Sequence, residues 1–385
     1  MRMTQLKTIA DIQTGPFGSQ LHKEDYVETG TPIVTVEHLG NRVFTEQNLP
    51  RVSDSDRARL IKYTLSTGDI VFSRVGSVDR CSYVDKSHDG WMFSGRCLRV
   101  RPTEPVDSLY LYYYFCLEET KQFVRNIAVG ATMPSINTKL LEEVEIALPD
   151  LNNQKRIAAV LSSLDDKIEN NQKLNDNLQQ QAMALYAEMF LNSSDNNVSS
   201  GTLSDIAVIT MGQSPSGSSY NEDGVGEVFY QGRAEFGFRF PKRRLFTTEP
   251  KRMAETGDVL LSVRAPVGDL NVAYERCCIG RGLGAIHSKT GHSSFVLYTM
   301  FALRSQLDVF NGEGTVFGSI NRDALNAIPI DIPPVTEIDQ FEAVTHPIDE
   351  LIRANYEENC RLEAIRDSLL PKLMSGEIGV SAVQL

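Results

Sequence analysis

A chain of 385 residues with 41% hydrophobic residues is long enough to form two or three domains, each with its own core. Its formal net charge of −12 excludes a protein that is basic throughout, although a local basic cluster can still bind nucleic acid. No apolar run is long enough to span a membrane, the N-terminus does not resemble a signal peptide, and the six cysteines lack CxxC spacing, so the sequence predicts a cytoplasmic protein without a zinc site or disulfides.

Residues 1–150 predict a first globular unit of the α+β class. Two β-like runs, TPIVTVEHL and GDIVFSRVG, are bounded by Gly and Pro, and CSYVDKSHDGWMFSGRCLRVRP predicts two more strands. The segment LYLYYYFCLEETKQFVRNIA predicts a buried helix with Tyr110, Tyr113, Phe115 and Phe123 in the core. The loop GATMPSIN and a short strand complete this unit.

Residues 151–192 predict one long helix, because this stretch contains neither Pro nor Gly and its apolar residues follow a seven-residue repeat. At about 1.5 Å per residue this helix is about 60 Å long. Asn171 and Asn175 interrupt the apolar seam, where buried polar residues usually fix the register of helix pairing at a cost in stability. The predicted seam is formed by Ile157, Leu161, Leu164, Ile168, Asn171, Asn175, Leu178, Ala182, Leu185 and Met189.

The next part of the chain repeats the first unit. The polar stretch NSSDNNVSSG predicts a linker, and residues 193–333 predict a second α+β unit in which TGDVLLSVRAPVG corresponds to TGDIVFSRVGSV. The loop GTVFGSIN, ending at Asn321, corresponds to GATMPSIN, which ends 184 residues earlier at Asn137. A further correspondence aligns Gly280–Arg281 in CCIGRGLGAIH with Gly95–Arg96 in MFSGRCLRVRP.

Residues 334–378 predict a second long helix, which repeats the first at the same offset of 184 residues. Pro347 falls near its start and Arg366 replaces Ala182, so its seam is less regular. This seam is formed by Phe341, Thr345, Ile348, Ile352, Asn355, Asn359, Leu362, Arg366, Leu369 and Leu373.

The order of elements predicts an α+β fold with two similar mixed α/β domains separated by two long helices. The helices can pair in parallel or antiparallel. Antiparallel pairing is the simpler geometry, because the short linker starts the second unit at the far end of the first helix and the second helix must then run back. We therefore expect an antiparallel coiled coil and a pseudo-two-fold internal repeat.

The sequence contains no complete catalytic motif. It has no GxxxxGK[ST] loop for ATP, it lacks the Asn-Pro-Pro-aromatic segment and FxGxG turn of an adenine methyltransferase, and its six histidines are isolated. GRGLGA, at residues 280–285, lacks the full phosphate-binding pattern and is more typical of a tight turn. The sequence therefore predicts a non-catalytic chain with no metal site and no cofactor of its own.

Basic residues cluster outside the long helices. Residues 230–252 carry seven Lys or Arg side chains interleaved with five aromatic residues. Because Arg can hold guanine and Gln can hold adenine, Gln231, Arg233 and Arg264 are candidates for base contacts, whereas a solvated basic loop is the alternative interpretation. The predicted DNA-binding residues are Arg74, Arg80, Arg96, Gln231, Arg233, Arg239, Lys242, Arg243, Arg244 and Arg264.

Together these features resemble the specificity (S) subunit of type I restriction–modification systems. The resemblance rests on the loops GATMPSIN and GTVFGSIN, on the helix starts PDLNNQKRIAAVLSSLDDKI and PPVTEIDQFEAVTHPIDELI, and on the segments TGDIVFSRVGSV and TGDVLLSVRAPVG. It covers almost the whole chain. Ile338, at the position of Gln154, departs from the Glu-Gln pair that is common in the family.

The resemblance implies that each α+β unit is a target recognition domain for one half of a split site in double-stranded DNA, and that the helices set the spacer. It also implies two methyltransferase subunits, which bring S-adenosylmethionine and the catalytic residues, and restriction subunits that use ATP. The charged outer face of the first helix, together with Leu174 beside the seam, is a candidate surface for such partners.

Two other classes of protein are the alternatives. A coiled-coil scaffold would use the same two domains to bind a ligand other than DNA. A self-contained methyltransferase would bind S-adenosylmethionine without a partner.

Overall fold

The computed structural model describes residues 2–17, 20–40, 42–192, 198–312 and 318–382. Half of the predicted linker, residues 193–197, and half of the loop GTVFGSIN, residues 314–317, lie outside these described residues. The chain divides into two compact units, the first comprising Met1–Asn171 with Glu358–Leu385 and the second comprising Gln172–Glu357. Each unit therefore contains a segment of both long helices. Within the described ranges, no helix is long and apolar enough to cross a membrane.

Within the described residues, the first unit has ten strands, four short α-helices and segments of the long helices. In chain order its elements are β1 (Arg2–Gln5), β2 (Ala10–Thr14), β3 (Tyr26–Val27), β4 (Thr31–Val34), β5 (Arg51–Val52), α1 (Asp54–Arg59), β6 (Ile70–Ser73), β7 (Cys81–Tyr83), β8 (Met92–Phe93), β9 (Cys97–Pro102), α2 (Ser108–Cys116), α3 (Glu118–Ile127), α4 (Thr138–Glu142), β10 (Glu145–Leu148) and the first long helix, α5 (Leu151–Tyr186). A wider helical turn, Ala187–Leu191, follows α5 in the second unit.

Two four-stranded sheets form the body of the first unit. One has the order β2-β9-β6-β7 and is antiparallel throughout. The other has the order β3-β5-β4-β8 and is antiparallel except for the parallel pair β4–β8. β1 pairs only with β10 among the named strands. Every residue of β6 is buried, as expected of a strand that is covered on both faces.

The predicted aromatic helix is two helices. Asp107 caps α2, its side chain accepting a hydrogen bond from the Tyr110 backbone N–H. Leu117 has φ −57° and ψ 134°, which ends α2 and turns the chain into α3. Because α3 has only one face toward the core, Phe123 is 41% exposed, and the prediction that it is a core residue is wrong.

The second unit repeats this order of strands. Its elements are β11 (Ser199–Thr202), α6 (Leu203–Ile206), β12 (Ala207–Met211), β13 (Tyr220–Asn221), β14 (Glu227–Tyr230), β15 (Phe246–Thr247), β16 (Met253–Ala254), β17 (Val259–Ser262), β18 (Leu270–Val272), β19 (Cys277–Ile279), β20 (Leu283–Ser288), α7 (Ser293–Ala302), α8 (Arg304–Asp308), α9 (Arg322–Asn326), β21 (Pro329–Ile332) and a segment of the second long helix, α10 (Val335–Ser375).

The sheets of the second unit have the same topology as those of the first. The order β12-β20-β17-β18 corresponds to β2-β9-β6-β7, and the order β13-β15-β14-β19 corresponds to β3-β5-β4-β8, again with one parallel pair, β14–β19. The second unit adds the short strand β16 at the edge next to β19. The repeat found in the sequence is thus also a repeat of strand order.

Segments of α5 and α10 pack together within each unit. In the first unit, Asn171 donates a 2.8 Å hydrogen bond to Asn359. In the second, Asn355 donates a 2.8 Å hydrogen bond to Asn175, while Tyr186 packs edge-on against Phe341. Residue numbers rise along α5 as those of their partners fall along α10, so the paired segments run in opposite directions within each unit.

The residues predicted to pair the helices are mostly inaccessible to solvent. Ile157, Leu161, Leu164, Ile168, Asn171, Asn175, Phe341, Ile352, Asn355 and Asn359 are buried. Leu178, Ile348 and Leu362 are half-buried.

Candidate nucleic-acid interface

In the first unit, a glycine-lined crossing of two chain segments connects the two sheets. Gly15 follows β2 and packs against the connection between β8 and β9. A Cβ atom on Gly15 would come within 2.2 Å of the Ser94 carbonyl oxygen. A Cβ atom at Gly95 would come within 2.3 Å of the Pro16 carbonyl oxygen. No side chain fits at either position, so the two backbone segments are in direct contact.

Two arginines and an aromatic ring surround this crossing. Arg74, directly after β6, donates a 3.0 Å hydrogen bond to the Gly95 carbonyl, and its guanidinium lies 4.6 Å from the ring centroid of Phe17. Phe17 is 51% exposed, and Arg96 is exposed next to Gly95. We call Gly15, Phe17, Arg74 and Arg96 the first junction. It presents two cations and a flat apolar face at one surface.

Arg80 lies on the hairpin that follows β6. Its backbone carbonyl accepts a hydrogen bond from Ser73, the residue before Arg74. Its exposed guanidinium lies against Gly40, where a Cβ atom would be only 2.6 Å from the Arg80 Nε. Arg80 therefore depends for its position on the loop that contains Gly40.

The second unit carries the same crossing. Gly212 follows β12, and a Cβ atom there would come within 2.1 Å of the Gly280 carbonyl oxygen. Gly282 donates a 3.2 Å hydrogen bond to the Gln231 carbonyl, which brings the end of β14 to the turn between β19 and β20. Arg264 is exposed and lies two positions after the last residue of β17. We call Gly212, Gln231, Arg264 and Arg281 the second junction.

Backbone hydrogen bonds correct one alignment made from the sequence. The residue after β6, Arg74, donates its N–H to the Arg96 carbonyl, whereas the corresponding Val263 donates to the Gly282 carbonyl at 3.0 Å. Gly282 therefore corresponds to Arg96, and Arg281 corresponds to Gly95, one position away from the predicted match. A short Gly-Arg match could not fix this position, because the second turn has a glycine on each side of Arg281.

Arg281 is a candidate interface residue that the sequence prediction missed. Its side chain is exposed, and its backbone N–H donates a 3.2 Å hydrogen bond to the Ser214 hydroxyl in the loop after β12. The second junction thus presents Arg264 and Arg281, as the first presents Arg74 and Arg96. The GRGLGA turn predicted from the sequence contains Arg281 and would have been the signal.

Acidic residues neutralise much of the basic loop at residues 230–252. Arg233 forms an ion pair with Asp269, and Arg243 forms one with Glu275. Burial lowers the pKa of Arg243, but the hydrogen bond to Glu275, the charge of Glu275 and the nearby Tyr230 and Tyr274 together raise it further, so the net shift is upward.

Two further basic residues of this loop, Arg244 and Lys242, differ in whether they have an acidic partner. Arg244 lies 2.5 Å from Glu235. Lys242 is exposed and has no ion-pair partner in the described part of the chain. Among the predicted residues, Arg74, Arg80, Arg96 and Arg264 also have no ion-pair partner within the described ranges, and all of these except Arg80 belong to a junction.

Arg239 is buried, which corrects the prediction that it binds DNA. It is 4% exposed, and it donates a 2.7 Å hydrogen bond to Asp349 on α10. It also donates to Gln179 on α5 at 3.1 Å. A guanidinium at this depth would have to leave the half-buried carboxylate of Asp349 without its cation before it could reach a phosphate.

Comparisons with known proteins place the chain in one family. The family model described as the type I restriction modification DNA specificity domain matches residues 1–180 and 196–351. The chain is 29% identical over 401 residues to a putative type I restriction enzyme MjaX specificity subunit of Methanocaldococcus jannaschii, covering 98% of this chain and 93% of that protein. The MjaIX specificity subunit of the same organism is 26% identical over 310 residues, covering 72% of this chain and 71% of that protein.

A solved structure supports the fold. The crystal structure of the type I restriction–modification S subunit from M. genitalium is similar with a TM-score of 0.57 and 17% identity, covering 97% of this chain and 95% of that one. The predicted mixed α/β domains with long helices are confirmed, as is the resemblance drawn from the duplicated loops. Because the family model matches most of the chain in two consecutive copies, this protein belongs to the family of type I restriction–modification specificity subunits.

Proposed function

We propose that each α+β domain binds one half of a split site in double-stranded DNA and that the two long helices set the spacer between the halves. The observation that carries this proposal is the duplicated junction. Two domains with the same strand order each carry two arginines beside a glycine-lined crossing; Arg96, Arg264 and Arg281 are exposed, and Arg74 is half-buried. A chain with one reading surface per domain, and two domains, suits a site with two halves.

The junction residues suit base recognition. Arg can donate two hydrogen bonds to guanine, and Gln can hold adenine, in the major groove. Gln231 and Arg264 in the second junction, and Arg74 and Arg96 in the first, are our candidates for this role. Lys242, Arg243 and Arg244 are placed to neutralise phosphates, and Arg243 and Arg244 would have to exchange a carboxylate for one.

We assign target recognition to residues 1–150 and 193–333, and spacing to residues 151–192 and 334–378. The hydrogen bonds Asn171–Asn359 and Asn175–Asn355 support pairing of the two helices as an antiparallel coiled coil, because polar pairs in an apolar seam favour one register over others.

The outer face of the helices is our candidate docking surface for methyltransferase subunits. Val344 and Leu351, seven residues apart on α10, are 53% and 44% exposed. Leu174 on α5 is 44% exposed. Residues seven apart lie on one side of a helix, so Val344 and Leu351 form a stripe that an apolar helix of a partner could cover.

The partner subunits would supply the chemistry. We propose that two methyltransferase subunits bind S-adenosylmethionine and that restriction subunits, which use ATP, join this complex. This chain would then contribute only the recognition of the DNA sequence.

Sequencing of methylated bases in the host tests the proposal. We expect a split motif with a fixed spacer to lose adenine methylation when this gene alone is deleted, and to regain it when the gene is restored. If no split motif depends on the gene, the proposal fails and a coiled-coil scaffold becomes the better interpretation. Binding of radiolabelled S-adenosylmethionine by the purified chain alone would instead favour a self-contained methyltransferase.

A further inference from the structure

We propose that Arg42 and Arg239 are positioning residues, which fix the loop after the fourth strand of each domain to a long helix and so determine half-site specificity without touching DNA. This inference rests on the proposed function of DNA recognition. It identifies residues that act on the reading surface through the backbone.

Arg42 and Arg239 occupy the same place in the two domains. Arg42 lies in the loop between β4 and β5, and its carbonyl accepts a 2.7 Å hydrogen bond from the N–H of Tyr83 at the end of β7. Arg239 lies in the loop between β14 and β15, and its carbonyl accepts a 2.8 Å hydrogen bond from Val272 at the end of β18. The surrounding sequences, HLGNRVF and EFGFRFP, share only this arginine and the glycine two residues before it.

In the first unit, Arg42 fixes its loop to α5. Its guanidinium forms an ion pair with Asp166 and donates a 3.2 Å hydrogen bond to the Ser162 carbonyl. Its Nε atom lies 3.2 Å from Glu169. Burial lowers the pKa of Arg42, but its hydrogen bond to Asp166 and the nearby carboxylates raise it to a larger extent, so this side chain remains a cation.

In the second unit, Arg239 fixes its loop to both helix segments. Asp349 of α10 and Gln179 of α5 accept its hydrogen bonds, and Tyr298 of α7 lies 3.3 Å from its second nitrogen. Only 3% of the Arg239 side-chain surface is accessible to solvent. The side chain is thus a fixed connection between the loop and the helices.

The two anchors have different acidic partners for a reason that the sequence shows. Asp165 and Asp349 are 184 residues apart and correspond to each other. In the first unit Arg366 provides the cation for Asp165, so Arg42 pairs with Asp166. At the position corresponding to Arg366 the first helix has Ala182, so in the second unit Arg239 supplies the missing cation to Asp349.

The anchored loop of the second unit carries candidate reading residues. Gln231 and Arg233 lie a few positions before Arg239 in the same loop. Asn271 holds Gly237 from both sides, donating to its carbonyl at 2.9 Å and accepting from its N–H at 3.2 Å. The ring of Phe240 packs 5.0 Å from that of Tyr356 on α10. Arg239 is thus one of three residues, with Asn271 and Phe240, whose contacts hold this part of the loop, and its loss would loosen the end opposite Gln231.

The corresponding loop of the first unit contacts Arg80, one of the predicted DNA-binding residues. Gly40, two residues before Arg42, lies directly against the guanidinium of Arg80. Its N–H donates a 3.1 Å hydrogen bond to the Ser82 hydroxyl in β7. A shift of this loop would therefore displace Arg80, which is exposed.

The test measures each half-site separately in the complex with the methyltransferase subunits. A pool of DNA with single substitutions across both half-sites is methylated by the wild type, Arg42→Met and Arg239→Met. We expect Arg239→Met to reduce discrimination at one or more positions of the second half-site by at least about fivefold, the lower end of what a base contact contributes. The first half-site should keep its profile, and Arg42→Met should give the reverse pattern.

Two further variants keep the test decisive if Arg239→Met folds poorly. Gln179→Met removes a single hydrogen bond to Arg239 and should change the same half-site in the same direction, with a smaller effect. Arg276→Met is the matched control, because Arg276 is an exposed arginine of the same domain whose partners Glu227 and Glu255 lie outside the helices. Its half-site profiles should equal those of the wild type.

Three results would overturn the inference. An unchanged second half-site in Arg239→Met excludes a positioning role. A fall of about 0.9 in the dependence of log affinity on log salt shows that Arg239 contacts a phosphate directly. Equal loss at both half-sites shows a general structural defect. Absence of any methylation dependent on the wild-type chain would refute the proposed function itself and is therefore distinguishable from all three.

Discussion

Arg366 and Asp165 are joined by a 2.7 Å hydrogen bond between α10 and α5 in the first unit. Asp165 is 6% exposed, and it also accepts a 2.6 Å hydrogen bond from the Tyr113 hydroxyl of α2. Burial and the carboxylate both raise the pKa of Tyr113, so its proton stays on the oxygen and can be donated. One carboxylate thus connects both helix segments to the core of the domain.

We expect Arg366→Met to lower the free energy of unfolding of the first unit by about 3 kcal/mol. Removing one partner of a buried ion pair leaves the other charge without compensation, which typically costs about 3–5 kcal/mol. Arg366 is partly accessible, so the lower end applies. Denaturant titration of the full chain would measure this change.

The matched variants are Arg361→Met and the double change Asp165→Asn with Arg366→Met. Arg361 is exposed on the same helix, and its loss should change the stability by less than about 0.5 kcal/mol. The double variant should be more stable than Arg366→Met alone. If Arg366→Met is as stable as the wild type, this ion pair does not hold the helices to the domain.

We expect Asn171→Leu to destabilise the first unit by about 1–3 kcal/mol, because it leaves the side-chain oxygen of buried Asn359 without its donor. Asn171→Leu combined with Asn359→Leu should recover stability, since an apolar pair suits the seam. Thermal unfolding followed by circular dichroism would show both effects. Asn170→Leu, at an exposed neighbouring position, is the control. Equal stability of the single and double variants would contradict a paired role.

Local patterns in the sequence predicted a large part of this architecture. The apolar seam of the long helices follows from a seven-residue repeat, which can be recognised within the sequence of each helix alone. The 184-residue offset between Asn137 and Asn321 predicted the duplicated domain, and both residues cap short helices through hydrogen bonds to Leu140 and Ala324.

Contacts between distant segments could not be predicted in the same way. Arg233 and Asp269 are 36 residues apart, and only the folded sheets bring them together. In the sequence, Arg239 could not be distinguished from the other cations of its basic loop, because no local pattern indicates that it forms an ion pair with Asp349. The exposure of Phe123 also depends on a break at Leu117, a residue with no special turn propensity.

We expect Gly212→Ala to disturb the second junction, because its Cβ atom would lie 2.1 Å from the Gly280 carbonyl oxygen, a backbone atom that cannot move aside cheaply. The cost of such overpacking is typically about 1–3 kcal/mol. The free energy of unfolding of the full chain and the affinity for DNA should both fall. Gly217→Ala is the control, since no atom lies within 4 Å of its added Cβ. A Gly212→Ala variant with wild-type stability would contradict the close backbone contact.

We expect Arg264→Ala to weaken DNA binding more than Arg276→Ala does. Arg264 is exposed at the second junction, whereas Arg276 already forms a 2.9 Å ion pair with Glu227. A contact from Arg264 to guanine should cost about 1–3 kcal/mol at one base position. A contact to phosphate should weaken all sequences equally and reduce the salt slope by about 0.9. Binding of half-site variants at several salt concentrations separates these outcomes, and wild-type affinity in Arg264→Ala would exclude Arg264 from the interface.

The proposed role of the helices as a spacer predicts the effect of changing their length. Insertion of seven residues after Gln172 of α5, with seven more before Glu357 of α10, should preserve the seam because one full repeat is added to each segment. Seven helical residues add about 10 Å, which is the rise of about three base pairs. Sequencing of methylated bases should then show a longer spacer between unchanged half-sites. Seven residues inserted in the exposed loop at residues 222–226 should leave the spacer as it is. A change in the half-sites with a constant spacer would refute the spacing role of α5 and α10.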